Sequence, residues 1–218
     1  MDTTAFVLSQ LLPRSARVLE VGCGTGELTR ALHARGFDAT GVDPAAPDGP
    51  LFRKLKFEDL EENERFDAVV AVRSLHHVTD LPGALDKIVR VLRPGGPLVL
   101  EEFGWDRFDE PTSDWFYGQK RALAAAGRIE SAPRTLDDCR REWEGDHVGL
   151  HGYVTLRREL DGRFEERAFD WVPHLYRELG GIASEGLERS LIEAGAIAAT
   201  GFRYVGVPRG IGETGSVV

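Results

Sequence analysis

Three glycines at alternate positions, Gly22, Gly24 and Gly26, follow an apolar run at 18–21 that is interrupted by one acid, Glu20. Glycine has no Cβ and reaches dihedrals barred to other residues, so a ligand can approach the bare backbone of such a turn. A helical pattern starts at about Glu27, with Leu28, Ala31 and Leu32 at helical spacing and Gly36 able to end it. Residues 38–43 read as a second strand closing on Asp43, 17 residues after Gly26. An acid at that place suits a pair of ribose hydroxyls in a nucleotide-binding α/β fold. The crossover of this strand–helix–strand unit should be right-handed.

Two nucleoside ligands compete for such a turn. A dinucleotide site calls for a glycine where Glu27 stands. It also sets a pyrophosphate over the helix N-terminus, where a nearby acid is unfavourable. An acid followed by alternating glycines instead resembles the first motif of class I S-adenosylmethionine-dependent methyltransferases of the small-molecule type, whose ligand is a sulfonium without phosphates. Further segments resemble that family in order: Phe57-Glu58-Asp59-Leu60, the strand from Phe66-Asp67 to Val72, Arg73-Ser74-Leu75-His76-His77-Val78, and Leu92-Arg93-Pro94-Gly95-Gly96 with the strand after it. The match covers about residues 15–104.

The resemblance implies that the 22–26 backbone, with Cys23 as a small residue inside it, meets the amino-acid part of S-adenosylmethionine. Glu20 would orient the loop or hold the ammonium, and Asp43, followed by Pro44, would accept the ribose hydroxyls. Phe57 and Glu58 would read the adenine, with Glu58 favoured over Asp59. Arg73, Ser74 and His76 would border the cofactor, and S-adenosylhomocysteine would be the product.

Methyl transfer from a sulfonium needs alignment and exclusion of water, and a base only when the nucleophile arrives protonated. Histidine suits that role. His77 follows the fourth strand. His147 and His151 are four apart and would share a helical face. These three are the candidate bases; His174 is a further pocket candidate. No third ligand stands near His147 and His151 for a metal, and none is expected. Arg73 would pair with a substrate carboxylate or with a nearby acid. Residues 105–177 hold all four tryptophans and 11 of the 19 aromatics, and with Glu101 and Glu102 would open a substrate cover. Trp105, Trp115 and Tyr117 would wall an enclosed pocket for a small organic molecule, or pack as ordinary core.

These residues need a frame. A helix at 3–12 stopping before Pro13, then strands near 17–21, 38–42, 51–56, 67–72 and 97–102 alternating with helices, predict a Rossmann-like α/β three-layer sandwich. The resemblance extends this to a mostly parallel seven-stranded sheet with a helical, aromatic insertion after strand five. Helices are expected at 112–126, 135–143, 146–160 and 184–194, with a capping box at Thr135 and Asp138. Strands are expected at 164–172 and 202–207, the sixth family strand being unplaced, and residues 211–218 read as a frayed tail. The 218 residues suit a single domain: a cofactor half at 1–104, a cover at 105–180, and a closing helix and strand at 181–210.

The net charge of −9 argues against nucleic acid as substrate. No apolar run is long enough to span a membrane, no secretory leader is evident, and two cysteines build no disulfide scaffold. A cytoplasmic monomer or homodimer acting on a small molecule is the expectation. A methyltransferase-fold binding or regulatory protein, or a cyclase that uses the sulfonium without transferring methyl, is the alternative.

Overall fold

The computed structural model describes residues 1–11 and 15–210. The expectations for Leu12, Pro13 and the 211–218 tail lie outside the described residues. Helix α1 (Thr3–Gln10) is capped by the Asp2 carboxylate, which accepts from the Ala5 amide. There follow β1 (Arg17–Val21), α2 (Glu27–His33), β2 (Asp38–Val42), β3 (Phe52–Arg53), β4 (Ala68–Val72), α3 (Leu81–Val91) and β5 (Leu98–Phe103). The cover supplies α4 (Glu110–Ala125), α5 (Leu136–Asp146) and α6 (Tyr153–Asp161). Then β6 (Phe164–Val172), α7 (Glu185–Glu193) and β7 (Gly201–Pro208) close the chain. Among the described residues no helix is long and apolar enough to cross a membrane.

The seven strands lie in the order β3-β2-β1-β4-β5-β7-β6. The first five pair in parallel; β7 runs antiparallel to both β5 and β6. Strand order reverses between β1 and β4, so a crevice opens at their carboxyl ends, where ligands of open α/β sheets bind. The central strands are apolar on both faces because both are covered. Leu19, Val21, Val69 and Leu100 pack under α3 and α6 through Leu85, Ile88, Leu156 and Leu160. Val18, Val70 and Val99 point the other way, onto Phe6 and Val7 of α1 and Leu32 of α2. That is the three-layer arrangement the sequence predicts.

Three expectations change. The third strand shrinks to two residues. The strand at 164–172 takes the outer edge of the sheet beside β7, which settles the unplaced sixth position. The helix expected over 146–160 starts only at Tyr153, because Gly149 turns the chain with φ +84° and Gly152 caps α6. The Thr135–Asp138 capping box forms at the head of α5.

Candidate active site

The glycine turn is fixed from both sides. The Gly22 and Cys23 amides donate to the Val42 carbonyl at 2.8 and 3.2 Å, tying the turn to the end of β2. On the other side the Ser74 hydroxyl donates to the Val21 carbonyl at 2.7 Å. A Cβ at Gly22 would lie 2.2 Å from that of Ser74, at φ +73°, so only glycine lets the ends of β1 and β4 meet. Gly24 is the opposite case. At φ +50° its Cβ would meet nothing within 4 Å; the turn presents bare backbone to open space there.

The acids stand around this turn. Glu20 is buried, accepts from the Thr29 hydroxyl, and faces the space beside the turn. Burial pushes its carboxyl up to about 7, only partly offset by the Thr29 hydrogen bonds. Asp43 is held by two amides, Gly24 at 3.0 Å on Oδ2 and Ala45 at 2.7 Å on Oδ1, which fix the carboxylate while leaving lone pairs for a ligand. Cys23 is buried and its thiol is pushed up to about 12, so it stays a protonated small side chain.

Two cavities meet across Gly22, Gly24 and Arg73, which line both. The smaller, about 390 Å³, is lined by Asp43, Pro44, Phe57, Glu58, Ser74 and His77. The larger, about 770 Å³, lies beneath the start of α1 and takes in Glu20, Cys23, Glu101, Tyr176, Arg177 and Arg203. Glu58 is brought to the smaller cavity and Asp59 is not among its walls. Gly26 acts from behind: it starts α2, and its Cβ would strike the Phe52 ring at 2.3 Å.

The histidines other than His77 depart from expectation. His76 is buried away from both cavities, its Nδ1 2.6 Å from Glu102 Oε2. His77 lines the smaller cavity with Phe57 and Glu58, largely open to solvent, and partial desolvation there together with nearby His76 lowers its pKa. His147 and His151 share no helical face. His147 caps α5, buried, with Nδ1 2.6 Å from the Trp143 carbonyl and its ring among Trp105, Phe103 and Trp143. His151 lies in the following connection; its Nε2 is 2.9 Å from the Val78 carbonyl, and its amide donates to the His76 carbonyl. Both tie the cover to the sheet. His174 is buried and stacked on Phe103, its pKa pushed down to about 3 by desolvation and by Arg177 and Arg73. No histidine is among the walls of the larger cavity.

The aromatic cover is likewise a core and not a wall. Trp105, Trp115 and Tyr117 pack with Phe116, Trp143 and Leu175 in a cluster of their own. The larger cavity is lined by several charged groups, with Tyr176 the aromatic residue in its wall. Glu102 on β5 is fully buried and accepts from the Ser74 and Leu75 amides at 2.7 and 2.6 Å, shaping the turn after β4. Its neighbour Glu101 points to the other face and draws in three guanidiniums: Arg203 at 2.8 Å, Arg73 at 3.4 Å and Arg177 at 3.5 Å. Arg73 therefore pairs with a nearby acid. Arg177 and Arg203 escape sequence reading, because only the β5–β7 pairing sets Glu101 opposite Arg203.

This donor set fits S-adenosylmethionine. Its sulfonium and ammonium are cations and Glu20 offers a carboxylate; its ribose needs paired acceptors and Asp43 is oriented to accept; its chain must cross a backbone without side chains and Gly24 leaves that path open.

The comparisons agree. The family model described as "Methyltransferase domain" matches residues 2–173. A ubiquinone biosynthesis O-methyltransferase of Bradyrhizobium sp. is 33% identical over 107 residues, 42% of this chain and 42% of that protein. The chain thus spans less than half the length of the curated relatives it matches. Among solved structures, the N-methyltransferase NodS of Bradyrhizobium japonicum in complex with S-adenosyl-L-homocysteine superposes with a TM-score of 0.51 at 16% identity, over 89% of this chain and 79% of that one. The [4+2]-cyclase SpnF gives 0.53 at 19% identity, over 95% and 81%. Likenesses this distant speak for the fold alone. The family match spans both the glycine turn and the β4–β5 ends built around it, and by that match the chain belongs to the class I S-adenosylmethionine-dependent methyltransferases.

Proposed function

We propose that the protein moves a methyl group from S-adenosylmethionine to an oxygen, nitrogen or carbon of a small organic molecule in the larger cavity, leaving S-adenosylhomocysteine. The observation that carries this reading is the continuity of the two cavities across the glycine turn, where Gly22 and Gly24 line both and Gly24 leaves open space beside its backbone. When bound, the cofactor supplies a methyl group already activated by its positive sulfur. The chain's own task is to position and to exclude water. Asp43 holds the sugar, Phe57 and Glu58 face the base, and Glu20 balances the cationic end. The start of α1 and the 173–177 segment close over the acceptor. Of the candidate bases only His77 lines either cavity, so alignment is the chain's main contribution and His77 is the base for an acceptor that arrives protonated.

The test is calorimetry of S-adenosylhomocysteine with Asp43→Ala. Loss of the ribose acceptor should cost about 1.5–3 kcal/mol, roughly 10- to 150-fold in Kd. Asp43→Asn, which keeps the side-chain volume, should show most of the same loss. Affinity within about twofold of the parent in both variants would remove the ribose assignment. Release of S-adenosylhomocysteine from a metabolite extract separates methyl transfer from mere binding or from cyclase chemistry.

A further inference from the structure

We infer that Arg73 and Arg177 receive an anionic group of the methyl acceptor, a carboxylate or a phosphate, beside Glu101 in the larger cavity. The inference rests on the cofactor reading above and names the acceptor's class.

Its basis is an imbalance of charge around Glu101. That carboxylate is 5% exposed and faces three guanidiniums. Arg203 occupies Oε2 as a fork, Nε at 2.9 Å and Nη2 at 2.8 Å. Oε1 already accepts from the Thr3 hydroxyl at 2.6 Å. Arg73 and Arg177 reach the same oxygen only at 3.4 and 3.5 Å, each about one-third exposed (33%). One carboxylate thus answers three cations, and the two loosely held guanidiniums keep unused donors toward the cavity. Their planar forks suit a two-oxygen anion.

The fold sustains this arrangement at some cost. Arg73 sits at φ +50°, a conformation unfavourable for a residue with a Cβ. Arg177 belongs to a short turn, residues 175–178, whose start is pinned from below by buried Glu188. That carboxylate accepts from the His174, Leu175 and Tyr176 amides at 2.8, 3.0 and 2.6 Å.

Position sets Glu101 apart from the glycine turn, whereas Arg73, just after β4, borders both cavities. Glu101 lies on β5, two strands from β1 in the sheet order, which is about 10 Å from the Glu20 row at ordinary strand spacing. Glu20 and Glu27 stand by the glycine turn, while Arg73, Arg177 and Arg203 gather around the single carboxylate of Glu101 and Glu185 in the same lining is paired with Arg189. A cationic methyl donor would be drawn to the acids by the turn and an anionic acceptor to the arginines.

The experiment titrates the protein, saturated with S-adenosylhomocysteine, with benzoate, phenyl phosphate and the neutral probe benzamide. At least one anion should bind about tenfold or more tightly than benzamide, and the tighter anion identifies the group. Arg177→Gln should weaken that anion by about tenfold, Arg177→Lys by much less, and both should keep S-adenosylhomocysteine affinity within about twofold. Equal binding of benzamide and both anions, or no binding of either anion, would overturn the inference. So would a tenfold loss of S-adenosylhomocysteine affinity in Arg177→Gln, which would give the arginine to the cofactor's carboxylate. Failure of the parent protein to bind S-adenosylhomocysteine would strike the cofactor reading instead.

Discussion

Glu20 sets up a conflict between stability and binding that pH should expose. Its carboxyl is buried beside the glycine turn and titrates at about 7 instead of the ordinary 4.5. The folded chain therefore holds this proton more tightly than the unfolded chain does. Below about 4.5 the group costs nothing; as pH rises through 4.5 to 7 the unfolded state gains from ionising and the folded state does not. Between pH 5 and pH 8 this linkage lowers stability by about 2–3 kcal/mol. On the role proposed for Glu20, cofactor binding runs the other way, because the ionised form is the one that would face an ammonium. With a free-state value of about 7, Kd for S-adenosylhomocysteine should rise about tenfold from pH 8 to pH 6, about 1.4 kcal/mol. Calorimetry in buffers of differing ionisation enthalpy should find close to one proton released per ligand at pH 6 and about a tenth of one at pH 8. Glu20→Gln should abolish both effects: weaker, pH-independent binding, and a protein that loses less stability than the parent between pH 5 and 8. A parent Kd that is flat over this range, or a slope that persists in Glu20→Gln, would refute the reasoning. The second outcome would point to another group, with His77 first in line at the smaller cavity.

Gly22→Ala and Gly24→Ala should separate fold from ligand. The first overlaps Ser74 and should destabilise by roughly 2–5 kcal/mol in urea unfolding; the second should cost only about 1–2 kcal/mol of strain yet weaken S-adenosylhomocysteine about tenfold or more. Glu102→Ala strips partners from two buried amides and from His76, so a loss of about 3–5 kcal/mol is expected from denaturant midpoints. His151→Ala should lower stability by about 1 kcal/mol while leaving S-adenosylhomocysteine affinity within about twofold, since its ring bonds a carbonyl and lines neither cavity.

The first half of the chain was legible because its signals are local. The apolar run at β1, the alternating glycines and the strand-ending Asp43 lie within 26 residues (18–43), and the structure brings Glu20, Gly24 and Asp43 to one crevice. The second half failed in two instructive ways. His147 and His151 satisfy a four-residue spacing, but Gly149 and Gly152 between and after them were the stronger signal: one turns the chain and the other starts α6. The tryptophans suggested a lined pocket, yet an insertion of this size also needs a core of its own. Large aromatics serve that need first: Trp143 stacks on Phe108 at 4.2 Å and donates to the Trp105 carbonyl.

What the cover contributes to the site is therefore backbone placement and charge. Phe103 on β5 stacks flat on His174 at 4.3 Å, and Glu188 on α7 accepts from the His174, Leu175 and Tyr176 amides, so Arg177 is delivered to the cavity by an apolar contact on one side and a buried carboxylate on the other. Neither partner has a sequence signature. Glu101 and Arg203 are 102 residues apart and become neighbours only through the antiparallel register of β5 and β7. A one-residue slip of that register would turn Arg203 to the opposite face of the sheet and leave Glu101 with two guanidiniums instead of three. The glycine-turn end of this crevice is thus written in a contiguous motif, whereas the arginine cluster around Glu101 depends on strand pairing, which is why one could be read from the sequence and the other needed the fold.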